Sequence, residues 1–187
     1  FKEMDYHMMS GYGILTLVIF RVAWGFIGTT HSRFRSFINL SQLVPYTKQL
    51  LNRDQTGIRG HNPLGALGIV AMLLVLGTQA TTGLFANDDI FLEGPLVHLV
   101  DDATSDRLTT VHHFCAKALY VLIGLHLAAI IFHELYQKDR LVLPMISGYK
   151  KGLPTSADKP SLMRESVNAS ILLAACAGFI YWLIKYV

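Results

Sequence analysis

Charge is scarce in this chain: only 16% of its 187 residues are Asp, Glu, Lys or Arg, and the formal net charge is +3. No basic run interleaved with aromatics occurs, so a nucleic-acid partner is not expected. Cysteine is scarcer still. Cys115 and Cys176 are the two in the chain. Neither sits in a C-x-x-C-H, which excludes covalent attachment of a c-type haem. Each lies inside an apolar segment, where packing is the expected role and a disulfide is not. Alternating strand patterns, internal repeats and low-complexity tracts are also missing. The eight histidines are spread over the chain instead of converging at the spacing of a tetrahedral zinc site. No signal peptide stands ahead of Phe1, so the expectation is a processed chain or one with a further segment upstream.

What the chain has in excess is hydrophobic residues, 52% of the total. They gather into four segments of about the 20 residues that cross a bilayer: about 8–28, 63–85, 111–134 and 167–186. Backbone groups in lipid must be bonded internally, so helices are expected. The predicted fold class is an all-α transmembrane helix bundle with four spans, forming one membrane-embedded domain over residues 1–187. Asn62-Pro63 reads as N-cap and first residue of the second helix, and Thr109 or Thr110 as the cap of the third. Tyr6, Tyr12, Trp24, Tyr181, Trp182 and Tyr186 lie near span ends, where aromatic belts occur. Glycines recur in the spans (Gly11, Gly13, Gly25, Gly28, Gly65, Gly68, Gly77, Gly83, Gly124), as close helix approach in membranes favours. The polar, turn-rich stretch 148–161 reads as a linker to the last helix.

Basic residues in the connections set an orientation. Residues 29–60 carry Arg33, Arg35, Lys48, Arg53 and Arg59 against Asp54. The next connection reverses this, with Asp88, Asp89, Glu93, Asp101, Asp102 and Asp106 against Arg107. Basic residues return after the third span at Lys138, Arg140, Lys150, Lys151, Lys159 and Arg164. By the positive-inside rule 29–60 and 134–166 are expected on the cytoplasmic side, and 86–110 on the periplasmic side.

The third span, 111–134, contains His112, His113, His126 and His133. Ionisable groups at membrane depth are costly and mark functional paths. His112 and His126 are 14 residues apart, so they share one helical face and lie about 21 Å apart along the axis. His7 opens the first span at the level of His112. Two histidines at one level on facing helices suit the two sides of a b-type haem iron. His7, His112 and His126 are therefore the candidate iron ligands. A buried, hydrogen-bonded histidine is the alternative for His126, whose level on the first span falls near Arg21. Arginine is no ligand, but it suits a haem propionate. His61 and His133, at the cytoplasmic edge, suit a propionate, a quinone headgroup or an ordinary interfacial role. His113 points off the ligand face; His31 and His98 read as solvated loop residues, and Lys117 as a snorkelling one.

Several of these stretches resemble a known family. HHFCAKALYVLIGLHLAAIIFHELYQKDRLVLPMISGYK is similar to the last haem-binding helix of the bacterial dihaem cytochrome b561 family, which includes b-type subunits of nickel–iron hydrogenases. There a histidine, 13 intervening residues and a second histidine precede a basic M-I-x-G-x-K segment; here these are His112, His126 and Met145 to Lys150. HMMSGYGILTLVIFRVAWGFIGTTHSRFRSF resembles the family's second helix, with its ligand at His7 and the R-x-x-W-G-F-x-G stretch at Arg21 to Gly28. GHNPLGALG resembles the start of the third. The likeness covers about residues 5–150.

The resemblance implies haem b, two in number. His7 and His112 would hold the periplasmic-side haem, and His126 would be one ligand of the cytoplasmic-side haem. The family's partner ligand for the latter sits on an earlier helix in an R-x-x-H-W motif that this sequence does not contain. A missing first haem-ligating helix is the expectation, with a single-haem member or a ligand borrowed from another chain as alternatives. The expected function is electron transfer between the quinone pool and a periplasmic redox partner, a cytochrome or a dehydrogenase or hydrogenase subunit. No catalytic residue is assigned. The protein is placed in the bacterial inner membrane, among lipid, with a homodimer allowed. Two rivals stand beside this: a self-standing haem-dependent quinone oxidoreductase, for example from superoxide to quinone, and a haem-free transporter or assembly factor.

Overall fold

A computed structural model describes residues 2–30, 32–52, 63–88, 93–136, 142–143 and 162–187. Four of its helices are long and apolar enough to cross a membrane: α1 (Lys2–Ile27), α4 (Pro63–Gly83), α5 (Asp102–Ile131) and α6 (Leu162–Tyr186). Two short helices follow α1: α2 (Phe34–Phe37) and α3 (Leu43–Asn52). Among the described residues the one β feature is an isolated bridge between Asn87 and Glu93. The protein is an all-α transmembrane bundle.

The spans form because their apolar runs are long and free of internal breakers; proline is confined to first turns, at Pro63 of α4 and Pro45 of α3, where its missing N–H costs nothing. The start of α5 differs from the sequence expectation. The helix begins at Asp102, well ahead of Thr109, because Asp101 caps it: the carboxylate accepts from the Thr104 amide at 2.7 Å. Residues 102–110 are polar yet contain no Gly or Pro, so nothing stops the helix extending beyond the apolar span. Thr109 and Thr110 instead donate back to the carbonyls of Ser105 (2.9 Å) and Asp106 (3.0 Å). The 29–60 connection also contains more structure than a loop reading allows.

α4 is the centre of the bundle: α5 packs along one flank, α1 along another, and α6 covers the far side of α1. One end of the bundle is fastened by a cluster of Leu15 (α1), Leu84 and Leu96 (the α4–α5 connection) and Ile180 (α6), with Tyr12, Ile19, Phe85 and Leu183 around it. Each of the four central side chains is over nine-tenths buried, and what it gains over contact with lipid is close van der Waals packing. Ser105, 2% exposed, donates to the Phe85 carbonyl at 2.8 Å and ties α5 to the end of α4. His98, expected to be solvated, donates to the Val187 carbonyl at 2.8 Å; although exposed, it bridges to the end of α6.

The glycines divide by role. Gly77 meets Val18 of α1 at ordinary contact distance, 3.5 Å for an added Cβ, whereas Gly11, Gly13, Gly68 and Gly124 face open space. Close helix approach is therefore local to a few positions.

Two outcomes test this description. Ser105→Ala leaves the Phe85 carbonyl without its donor and is expected to cost about 1 kcal/mol, read as a fall of about 2–4 °C in the thermal midpoint in detergent. Hydrogen bonds from Thr104 hold the Asp101 carboxyl below its ordinary value. A depressed pKa means the cap's contribution is full above that ordinary value and is lost as pH falls through the lowered one. Hydrogen-exchange protection of the Thr104 amide is expected to disappear in that acid window and nowhere nearer neutrality.

Candidate haem-binding site

α1 and α5 carry His7 and His112 to the same end of the bundle, above the last turn of α4. The two rings stand 6.0 Å apart, centroid to centroid, with planes at 86°. This is an edge contact between two rings, of the kind His112 also makes with His113 at 6.2 Å.

His112 is held from one side by a single turn of α4. Its Nδ1 donates to the main-chain carbonyl of Gln79 at 2.8 Å. In the neutral ring this leaves Nε2 with the lone pair, and Nε2 accepts from the Gln79 carboxamide nitrogen at 2.9 Å. The Thr82 hydroxyl lies 3.4 Å from Nδ1, and a Cβ at Gly83 would meet the His112 ring at 2.8 Å. The ring thus sits where only glycine lets it sit. Its Nε2, the atom a haem iron would take, is engaged by a side chain that can turn aside. The other end of that carboxamide, Oε1, is buried with no hydrogen-bond partner among the described residues.

His7 is exposed and His112 half-buried. Below them, Ile14 and Arg21 repeat the His7 position at seven-residue intervals, on one face of α1. That face opens on a cavity of about 230 Å³ lined by Ile14, Leu17, Val18 and Arg21 of α1 and Leu73 and Leu76 of α4. Arg21 stands 14 residues from His7, about 21 Å along the axis, too far to meet a propionate of a group held by His7 and His112. What fits a haem iron is the donor set: two imidazoles brought together at one end of the bundle, one of them with its Nδ1–H given to a carbonyl and its Nε2 lone pair kept.

Arg21, predicted for a propionate, has local partners. Its guanidinium lies 5.0 Å over the Phe34 ring and 5.9 Å from that of Phe37, and Nη1 donates to the Ser32 carbonyl at 3.2 Å. Arg33 Nε donates to the Gly28 carbonyl at 2.7 Å. A Cβ on Gly25 would run into the Phe34 ring, so glycine there admits the aromatic segment against α1. The conspicuous R-x-x-W-G-F-x-G stretch therefore builds a fastened corner at the inner end of α1.

The remaining predicted residues are not brought together. His126 is exposed on α5, and no described residue offers it a hydrogen bond or ring contact. His113 is exposed, 6.2 Å from the His112 ring. His133 is half-buried in a π-helical turn, Phe132–Tyr136. His61 and the Met145–Lys150 segment lie outside the described residues, as do His31 and Asn62. Among the described residues no group of three or more His, Cys, Asp or Glu could hold a metal ion. Sequence reasoning missed Gln79 and Thr82 altogether and took Gly83 only as a small residue. The signal was present: a glutamine among threonines in the last turns of an otherwise apolar span.

The profile of the prokaryotic cytochrome b561 family matches residues 1–148. The chain belongs to that family. It is a multi-pass membrane cytochrome of the b type, it binds haem b, and its function is electron transfer. In this cytochrome α6 lies beyond the matched residues. No curated protein and no solved structure gives a significant match.

Replacing Arg21 by leucine removes the cation from the Phe34–Phe37 pair and the donor to Ser32. The 32–38 segment is expected to loosen, with tryptic cleavage at Arg33 and Arg35 several-fold faster than in the parent chain. Unaltered cleavage would show that the arginine does not hold this corner.

Proposed function

We propose that the cytochrome carries electrons across the membrane between the quinone pool and a redox partner on the periplasmic side, with His7 and His112 as the axial ligands of an outer haem. The observation that supports this reading is that α1 and α5 bring His7 and His112 into ring contact at one end of the bundle, with the His112 Nδ1–H given to the Gln79 carbonyl so that Nε2 keeps the lone pair a metal would take. When bound, haem supplies one-electron chemistry. The chain's own residues orient the two rings, keep water out through the apolar α1–α4 wall, and form no covalent bond with a substrate.

His126 is the proposed ligand on this chain for a second, inner haem. Its exposed position on α5 leaves room for a group to approach, and its place on the His112 face supports the assignment. His61 is proposed to meet a propionate or a quinone headgroup at the inner edge, and Arg21 a propionate once the Phe34–Phe37 contacts yield. The orientation that fits has residues 29–60 and 134–166 on the cytoplasmic side of the inner membrane and 86–110 on the periplasmic side. Asp88, Glu93, Asp101, Asp102 and Asp106 then surround the outer end, a surface of the charge that a basic cytochrome or dehydrogenase subunit would approach.

The test is haem stoichiometry. A reduced-minus-oxidised spectrum is expected to carry a b-type alpha band. His7→Ala and His112→Ala should each remove one haem per chain by pyridine haemochrome, while His126→Ala leaves the outer haem in place. Full haem content in His112→Ala refutes the ligand assignment.

A further inference from the structure

The contacts around His112 are unusual in their concentration. Four groups from residues 79 to 83 surround one imidazole: the Gln79 carbonyl at Nδ1, the Gln79 carboxamide at Nε2, the Thr82 hydroxyl beside Nδ1, and the bare Cα of Gly83 against the ring edge. The Thr82 hydroxyl donates to the Thr78 carbonyl at 2.8 Å and, as the longer arm of the same shared bond, reaches the Gln79 carbonyl at 3.1 Å, so it draws in part on the acceptor that His112 uses. By contrast, His7 has no hydrogen bond of its ring within the described residues.

The geometry points to Gly83 and Thr82 as positioning residues for the outer haem: Gly83 sets where the His112 ring stands, and Thr82 sets how strongly the Gln79 carbonyl holds its Nδ1–H. This rests on the reading of His112 as an axial ligand. The physical argument has two parts. A side chain at position 83 must displace the His112 ring, because the 2.8 Å approach leaves no room for a Cβ. The atoms it would meet, Cε1 and Nδ1, belong to the edge that is hydrogen-bonded to Gln79, so the ring cannot yield without stretching Nδ1–H···O=C. Separately, the hydrogen bond to Nδ1 feeds electron density into the ligating nitrogen. A hydroxyl that draws on the same carbonyl weakens that donation, and its removal strengthens it.

The experiment uses the full chain purified in detergent with its haem as produced. Haem per chain, the low-spin ferric g-values and the midpoint potential are measured for Gly83→Ala, Thr82→Val and Gly68→Ala. Gly68 lies on the same helix with nothing within 4 Å of an added Cβ, so it controls for the change in helix propensity alone. Gly83→Ala is expected to reduce retention of the outer haem about tenfold, with altered g-values in what remains, and Gly68→Ala to match the parent. Thr82→Val keeps the side-chain volume; it is expected to retain haem and to move the midpoint to more negative values, with Thr82→Ser returning it. Parental stoichiometry and g-values in Gly83→Ala overturn the role of Gly83. An unmoved midpoint in Thr82→Val overturns the role of Thr82, even where Gly83→Ala fails to assemble. His112→Ala separates the two levels: if it keeps all its haem, the ligand reading itself has failed, whereas its loss of haem beside an unaffected Gly83→Ala and Thr82→Val rejects the positioning role alone.

Discussion

Inside a bilayer a polar atom has no water to turn to, and that constraint explains most of the polar contacts in this protein. Hydroxyls within the spans bond back to their own helix: Thr16 to the Tyr12 carbonyl, Thr78 to that of Leu74, Thr82 to that of Thr78. His112 cannot satisfy both ring nitrogens on its own helix, so it reaches across to α4, and α4 answers with a main-chain carbonyl and a carboxamide. The close flank of α4 against α5 follows from that exchange as much as from apolar packing. Gln79 Oε1 is the exception that stays unpaired, and it belongs to the group that stands at the prospective ligating nitrogen.

The bundle is fastened unevenly. At the outer end, the Leu15–Leu84–Leu96–Ile180 cluster, the Ser105–Phe85 bond and the His98–Val187 bond tie every span to a neighbour. Towards the other end α5 runs on with Val121, Leu125, Leu127 and Ile131 exposed, and the end of α1 is secured by Arg21 with its aromatic partners and by the Arg33–Gly28 bond. Lipid satisfies exposed apolar side chains as well as protein does, so exposure there carries no energetic penalty. The imidazole of His126 is a different matter, since lipid offers it no hydrogen bond.

Much of this was legible in the sequence because it depends on one-dimensional signals. Four apolar runs gave four helices, and the shared level of His7 and His112 followed from the first and third spans running in the same direction. What could not be read was lateral. The extension of α5 to Asp102 required weighing a capping aspartate against an apolar boundary, and hydropathy sees only the latter. The engagement of Arg21 with Phe34 and Phe37 depends on the chain folding back at Gly28, which no periodicity announces. The seat of His112 needs the rotational phase of α4 against α5; Gln79, Thr82 and Gly83 span barely one turn and look unremarkable in a row of small and apolar letters.

The grip on His112 also bears on how freely this stretch can drift in sequence. The acceptor for Nδ1 is a peptide oxygen, which every residue type supplies, so exchange at position 79 leaves that half of the hold intact. Position 83 has no such latitude, because every alternative to glycine brings a Cβ. Within five consecutive residues, then, one site is buffered by the backbone and another is exposed to any change at all. Selection acting on this helix would be sharpest at a residue that has no side chain to select.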